Sequence, residues 1–132
     1  MLGKKKMPLI KSLIAVGTTI GGGITFEDGL RVDGQVIGDV IGRDGKPSVL
    51  VVSENASIDG AVVADHVIIN GVVNGPVLAK HVIELQPNAR VEGNVTYKSI
   101  ELHLGALVNG QLSPLSALQE DKPALKLASK AS

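Results

Sequence analysis

Three histidines are the residues of this chain whose type most readily suggests metal chemistry. They are His66, His81 and His103, and imidazoles on neighbouring turns of a repetitive protein can bind zinc. Such a site needs side chains that converge on one point in a tetrahedral arrangement. When the repeats described below are aligned, the three histidines fall in different columns. We therefore predict no metal site and interpret the histidines as solvated residues on strand faces.

Acidic side chains that recur beside glycines raise a second possibility, a calcium site. Asp33, Asp59 and Glu92 each precede a glycine, and stacked carboxylates are calcium ligands. Asn74 and Asn109 occupy the same place in other repeats, so the acidic spacing is too sparse for a dedicated site. We interpret these residues as solvated corners of a repeated fold.

A glycine-rich stretch, "GTTIGGGI" from Gly17, resembles a phosphate-binding loop only superficially. It lacks the "GKS" or "GKT" ending that places a lysine on the phosphates. No serine, histidine and aspartate have the spacing of a nucleophilic site. We therefore predict no catalytic residue and no cofactor.

The elements that carry these residues form a repeat. The phrase apolar–polar–glycine–polar–apolar appears as "VDGQV", "IDGAV", "VEGNV" and "VNGQL", the last two beginning 17 residues apart at Val91 and Val108. Aligning the glycines gives an apolar column of Phe26, Val52, Ile69, Leu85 and Leu102, a second of Val32, Ile58, Val73, Val91 and Val108, and a glycine column of Gly34, Gly60, Gly75, Gly93 and Gly110. Length changes fall at turn-like residues, including an extra loop at residues 42–48, as stacked repeats tolerate.

Short runs of alternating apolar residues bounded by Gly, Asn, Asp or Ser are typical of strands. Each repeat holds about three short strands and three corners, which predicts one turn of a parallel β-helix whose alternate side chains point to its axis. The predicted fold is an all-β solenoid of five to six turns at residues 17–112. We expect flexible flanks, a leader at residues 1–16 and a tail at 113–132.

The charge distribution separates the N-terminal leader from the repeats. Residues 1–26 carry four lysines and no acid, whereas residues 27–112 carry six basic and eleven acidic residues, a balance of minus five. Aromatic residues make up 2% of the chain, so the repeats lack both the basic stripe and the stacking rings of a nucleic-acid binder. Lysines attract anionic lipids and apolar side chains enter the interface. The predicted membrane-binding residues are Met1, Leu2, Lys4, Lys5 and Lys6.

The two ends of a solenoid expose strand edges and apolar interior residues unless a cap covers them. No convincing cap follows the last repeat, so another copy of the chain is the simplest cover for both ends. The predicted polymerisation interface consists of Ile20, Ile24, Phe26, Leu102, Leu107, Val108 and Leu112.

The stretches "TTIGGGITFEDGLRVDGQVIGDV", "ADHVIINGVVNGPVLAKHVIELQPNARVEGNV" and "SIELHLGALVNGQL" resemble the bactofilins, polymer-forming bacterial cytoskeletal proteins. The resemblance runs from about Thr18 to Leu112. It implies a right-handed β-helix that assembles end to end into filaments without nucleotide. It also implies a location on the cytoplasmic face of the inner membrane, where filaments organise cell-wall enzymes, cell shape or polar proteins. Members often carry phenylalanine in the last turn, where this chain has Val108.

Two other functions fit a β-helix. A hexapeptide-repeat enzyme, either an acyltransferase or a carbonic anhydrase, would have a left-handed helix with strict six-residue steps and usually 18-residue turns. This chain keeps an interval of 17 and changes length at its corners. A soluble adaptor that binds peptides along the flat faces would instead be a stable monomer.

Overall fold

A computed structural model describes residues 7–116 of the chain as a parallel β-solenoid of six turns. In this range no helix is long and apolar enough to cross a membrane. The strands are β1 (Ile10–Ile14), β2 (Thr19–Gly21), β3 (Ile24–Phe26), β4 (Asp28–Val32), β5 (Gln35–Ile37), β6 (Val40–Gly42), β7 (Ser48–Val52), β8 (Ser57–Asp59), β9 (Val62–Ile69), β10 (Val72–Asn74), β11 (Val77–Leu85), β12 (Arg90–Glu92), β13 (Val95–Leu102), β14 (Leu107–Asn109) and β15 (Leu112–Pro114).

Three strands make each turn, and equivalent strands of successive turns pair in parallel to form three sides. The second side consists of β2, β5, β8, β10, β12 and β14. The long strands β9, β11 and β13 each bend and serve two sides. Residues 62 and 63 of β9 pair with β6 on the third side, whereas residues 66–69 pair with β7 on the first side. The fold is therefore all-β, as the repeat pattern predicts.

Buried residues such as Leu50, Val67 and Ile83 fill part of the interior, and three columns of inward side chains, one on each side, line the rest. The columns are Ile14, Val32, Val52, Ile69, Leu85 and Leu102 on the first side, Ile20, Val36, Ile58, Val73, Val91 and Val108 on the second, and Ile24, Val40, Val62, Val77, Val95 and Leu112 on the third. Members in the four inner turns are at most 2% exposed. Branched aliphatic side chains stack well in this arrangement because they are stiff and fit a pleated surface.

The structure corrects the register predicted for the first repeat. Val32 lies beside Val52 rather than Ile58, and Val36 takes the place beside Ile58. The first corner of this turn is two residues shorter than the corner between Val52 and Ile58, so an alignment on "DG" selects the wrong glycine. Gly34 packs in that short corner, and Gly38 belongs to the glycine column.

The structure also moves the predicted domain boundary at residue 17. Strand β1 lies inside the predicted leader and pairs with β4 through Ile14 and Val32. As an edge strand it buries only Ile14, so its sequence lacks the alternation of a half-buried strand. The solenoid consequently has a sixth turn at its N-terminal end, and β15 extends it to Pro114.

The turns differ in length. Successive members of the first column lie 18, 20, 17, 16 and 17 residues apart. The longest interval contains residues 43–47, which connect β6 to β7 and coincide with the predicted extra loop. This irregularity differs from the strict six-residue step of hexapeptide-repeat enzymes.

Glycines at one corner let successive turns approach closely. A Cβ at Gly60 would lie 2.2 Å from the carbonyl oxygen of Gly38, and one at Gly75 would lie 2.2 Å from that of Gly60. The same stacking continues through Gly93 and Gly110. A side chain at these positions must push neighbouring backbones apart, so glycine is required here for space.

We predict that Gly60→Ala lowers the free energy of unfolding by about 1–3 kcal/mol, because overpacking shifts the backbone of two turns. Gly21→Ala is the matched control, since a Cβ there meets nothing within 4 Å. Urea unfolding followed by far-UV circular dichroism measures both. Equal stability of the two variants would contradict the close packing at this corner.

Candidate functional site

At the C-terminal end of the solenoid, side chains are exposed at column positions that are buried in every inner turn. Leu102 and Leu112 are 55% and 41% exposed, although Leu85 and Val95, which precede them in their columns, are completely buried. Val108 is half-buried against the core. No seventh turn covers them within the described residues, so the interior of the protein continues to this surface.

Two further leucines enlarge this apolar surface sideways. The same tight turn recurs at Ser53–Ala56, Gln86–Ala89 and His103–Ala106, closed by one backbone hydrogen bond each. Its second position holds Glu54 and then Pro87 in inner turns, but Leu104 in the last turn, where it is 95% exposed. Leu107 is 59% exposed beside Arg90. We call Leu102, Leu104, Leu107, Val108 and Leu112 the C-terminal end surface.

At the N-terminal end of the solenoid, the three interior columns begin with Ile14, Ile20 and Ile24. Ile14 is nearly buried, and Ile20 and Ile24 are half-buried and pack against the core. Four exposed apolar residues lie on or next to β1, and these are Leu9, Ile10, Leu13 and Val16. We call Ile20, Ile24, Leu9, Ile10, Leu13 and Val16 the N-terminal end surface.

Phe26 differs from the other residues of the predicted interface. Its side chain is only 7% exposed, and its ring lies 3.5 Å from the position that a Cβ of Gly42 would occupy. Gly42 is its partner in the ladder. Phe26 therefore fills the interior of the first turns. The sequence pattern instead predicts that it lies at the exposed end of the solenoid.

Both ends also carry unpaired strand edges. Among the described residues, β1, β2 and β3 pair only toward the second turn, and β14 and β15 pair only toward the fifth. Free N–H and C=O groups on such edges are ready to pair with another chain. Each end thus combines apolar side chains with backbone hydrogen-bonding groups.

The predicted interface did not include Leu9, Ile10, Leu13, Val16 and Leu104. Val16, in the equivalent turn Ala15–Thr18, and Leu104 occupy the same position of the tight turn at opposite ends of the solenoid. Glu54 and Pro87 occupy this position in inner turns, so an apolar residue there distinguishes the two ends. The predicted membrane-binding residues, Met1, Leu2, Lys4, Lys5 and Lys6, lie outside the described residues.

The histidines separate into two environments. The rings of His66 and His81 stack with centroids 5.2 Å apart and planes 14° from parallel. They line a cleft of about 290 Å³ beneath the loop at residues 43–47, where Lys80 bonds Asp44 of that loop. His103 lies elsewhere, beside two glutamates on the last two turns.

Polar groups at the corners tie neighbouring turns together. The hydroxyl of Ser53 donates to the carboxylate of Asp33. The Nε atom of Arg31 lies 2.9 Å from Oδ1 of the same carboxylate. These two contacts hold the pKa of Asp33 below its usual range, and the hydrogen bond from Ser53 has the largest single effect. Lys80 likewise lowers the pKa of Asp44. Asp65 accepts hydrogen bonds from the backbone and hydroxyl of the buried Ser48.

We predict that Ser53→Ala destabilises the protein more at pH 7 than at pH 2. A carboxylate with a lowered pKa in the folded state stabilises the fold above its unfolded pKa, and this contribution disappears as the pH falls through the folded pKa. Urea unfolding at both pH values measures the difference, with Ser57→Ala, on the second side, as a control. An equal loss of stability at pH 7 and pH 2 would contradict the assignment.

Comparison with known protein families gives a match over most of the chain. A family model for bactofilins, described as polymer-forming cytoskeletal proteins, matches residues 12–113. This range begins in β1 and ends in β15, so it includes all six turns. No curated protein matches the chain, and no solved structure does. The match extends over most of the chain, which therefore belongs to the bactofilin family of polymer-forming cytoskeletal proteins.

Proposed function

We propose that this chain assembles end to end into filaments, with the C-terminal and N-terminal end surfaces as the contacts. One observation carries the proposal: the interior columns are buried in every inner turn and emerge at the C-terminal end, where Leu102 is 55% exposed and Leu85 beneath it is not exposed at all. A second copy placed on the end would continue the same column. No nucleotide takes part in this contact.

Stable association of two copies requires the unpaired strand edges as well as the exposed leucines. Complete burial of one leucine contributes about 1.5–3 kcal/mol, and Leu102, Leu107 and Leu112 are already partly covered. Association costs about 4–15 kcal/mol in lost motion. A few half-exposed leucines therefore only roughly offset that cost. Backbone hydrogen bonds along all three sides supply the remainder, which favours an axial contact over a lateral one.

We predict that Leu102→Arg abolishes filaments and leaves small discrete assemblies, because a buried junction would desolvate an unpaired charge. Ile37→Arg is the matched control. Ile37 is 53% exposed, close to the value for Leu102, but points outward from the second side. Negative-stain electron microscopy and pelleting measure assembly, and far-UV circular dichroism verifies the fold.

Filaments formed by Leu102→Arg as readily as by the natural chain would remove the C-terminal end surface from the contact. Loss of filaments in both variants would point to a lateral contact through the second side.

We further propose that the N-terminal leader attaches these filaments to the cytoplasmic face of the bacterial inner membrane. Lys4, Lys5 and Lys6 follow two apolar residues, and each lysine near an anionic surface contributes about 1 kcal/mol. On the membrane the filament would act as a scaffold for factors of cell shape, cell-wall synthesis or the cell pole.

We predict that deletion of residues 1–7 releases the protein from vesicles containing anionic lipid and leaves filament formation intact, since β1 begins at Ile10. Vesicle co-sedimentation measures binding, and vesicles of neutral lipid are the control. Continued sedimentation of the truncated chain with anionic vesicles would show that the leader is not the anchor.

A further inference from the structure

A cluster of Glu84, Glu101 and His103 lies on the outside of the first side, across the last two turns. The Nε2 atom of His103 is 3.1 Å from Oε2 of Glu84 and 3.4 Å from Oε2 of Glu101. One ligand atom from each side chain lies within 4.8 Å of the other two. Glu84 belongs to the fifth turn, and Glu101 and His103 belong to the sixth.

We propose that this cluster binds one divalent transition-metal ion of the zinc class. Zinc binds imidazole nitrogen and carboxylate oxygen at about 2.0–2.2 Å. Adjacent ligand atoms of a tetrahedron with such bonds lie roughly 3.3–3.6 Å apart, close to both distances from His103 Nε2. Three protein ligands would leave a fourth position for water.

The charge at this place distinguishes the cluster from ordinary solvated acids. Glu84 and Glu101 lie directly opposite each other in the parallel ladder, and like charges in this position destabilise a sheet. Within residues 7–116, no lysine or arginine nitrogen lies within 4.0 Å of either carboxylate. Among the described residues, His103 is the only basic side chain within 4.0 Å of either carboxylate. A divalent ion would neutralise both carboxylates.

The ladder presents these ligands from a rigid support. Both glutamates are on paired strands, and the backbone N–H of His103 donates to the carbonyl of Leu85 at 2.9 Å. The Gln86 amide donates to Oε2 of Glu84 at 3.2 Å and orients it. A bound ion would join the last turn to the fifth turn and stabilise it, because an ion that binds only the folded chain raises its stability.

Titration of the full-length chain with Zn²⁺ by isothermal calorimetry tests this site. We expect one ion per chain and at least roughly tenfold weaker binding for Glu101→Gln and for His103→Gln. The control variants are His66→Gln, outside the cluster, and Glu92→Gln, whose carboxylate accepts from Asn109 on the second side. Co²⁺ in place of Zn²⁺ gives a visible absorption band that reports a nitrogen- and oxygen-ligated ion.

Thermal unfolding supplies a readout independent of affinity. Zinc should raise the unfolding midpoint of the natural chain and of both controls, but not that of His103→Gln. These side chains are partly or largely exposed, so the variants should fold, which circular dichroism in the absence of metal verifies. If the natural chain binds no zinc, or if Glu101→Gln and His103→Gln bind it as tightly as the controls, the proposal is wrong and His103 only bridges the two glutamates.

Discussion

Each turn of this solenoid can cover its inward side chains only with the turns above and below it. Inside the stack this condition is met completely: Val52, Ile69 and Leu85 follow one another in a column with no exposed surface. At the last turn the same column continues to Leu102, and nothing in the described part of the chain covers it. An apolar interior that is open at its end is therefore a consequence of the fold itself.

The remaining features follow from this stacking. Glycines at one corner allow the turns to approach closely, as between Gly38 and Gly60. Polar contacts at the corners, such as that between Asp59 and Asn74, keep the outside hydrated and hold the turns in register. Within the described residues, the exposed interior side chains and the unpaired strand edges are therefore found at the two ends of the solenoid. This distribution explains how a small β-solenoid can belong to a family of polymer-forming cytoskeletal proteins.

Most of the fold could be predicted from the sequence because the interior columns repeat along the chain. Two elements could not. The short corner between Val32 and Val36 disturbs the alignment of the first repeat, and β1 lacks alternation because it is an edge strand. The exposed ends were predicted in part, except that Phe26 turns inward over Gly42. The place of Glu84 beside Glu101 and His103 was missed because it arises only through the pairing of two turns, and a search for histidine columns does not find it.

Fibre diffraction from aligned filaments tests the axial contact most directly. Stacked turns repeat about every 4.8 Å along the solenoid. If copies join through their end surfaces, this reflection lies on the meridian, parallel to the filament axis. A 4.8 Å reflection on the equator would show that the solenoids lie across the filament and meet through their sides, which contradicts the account.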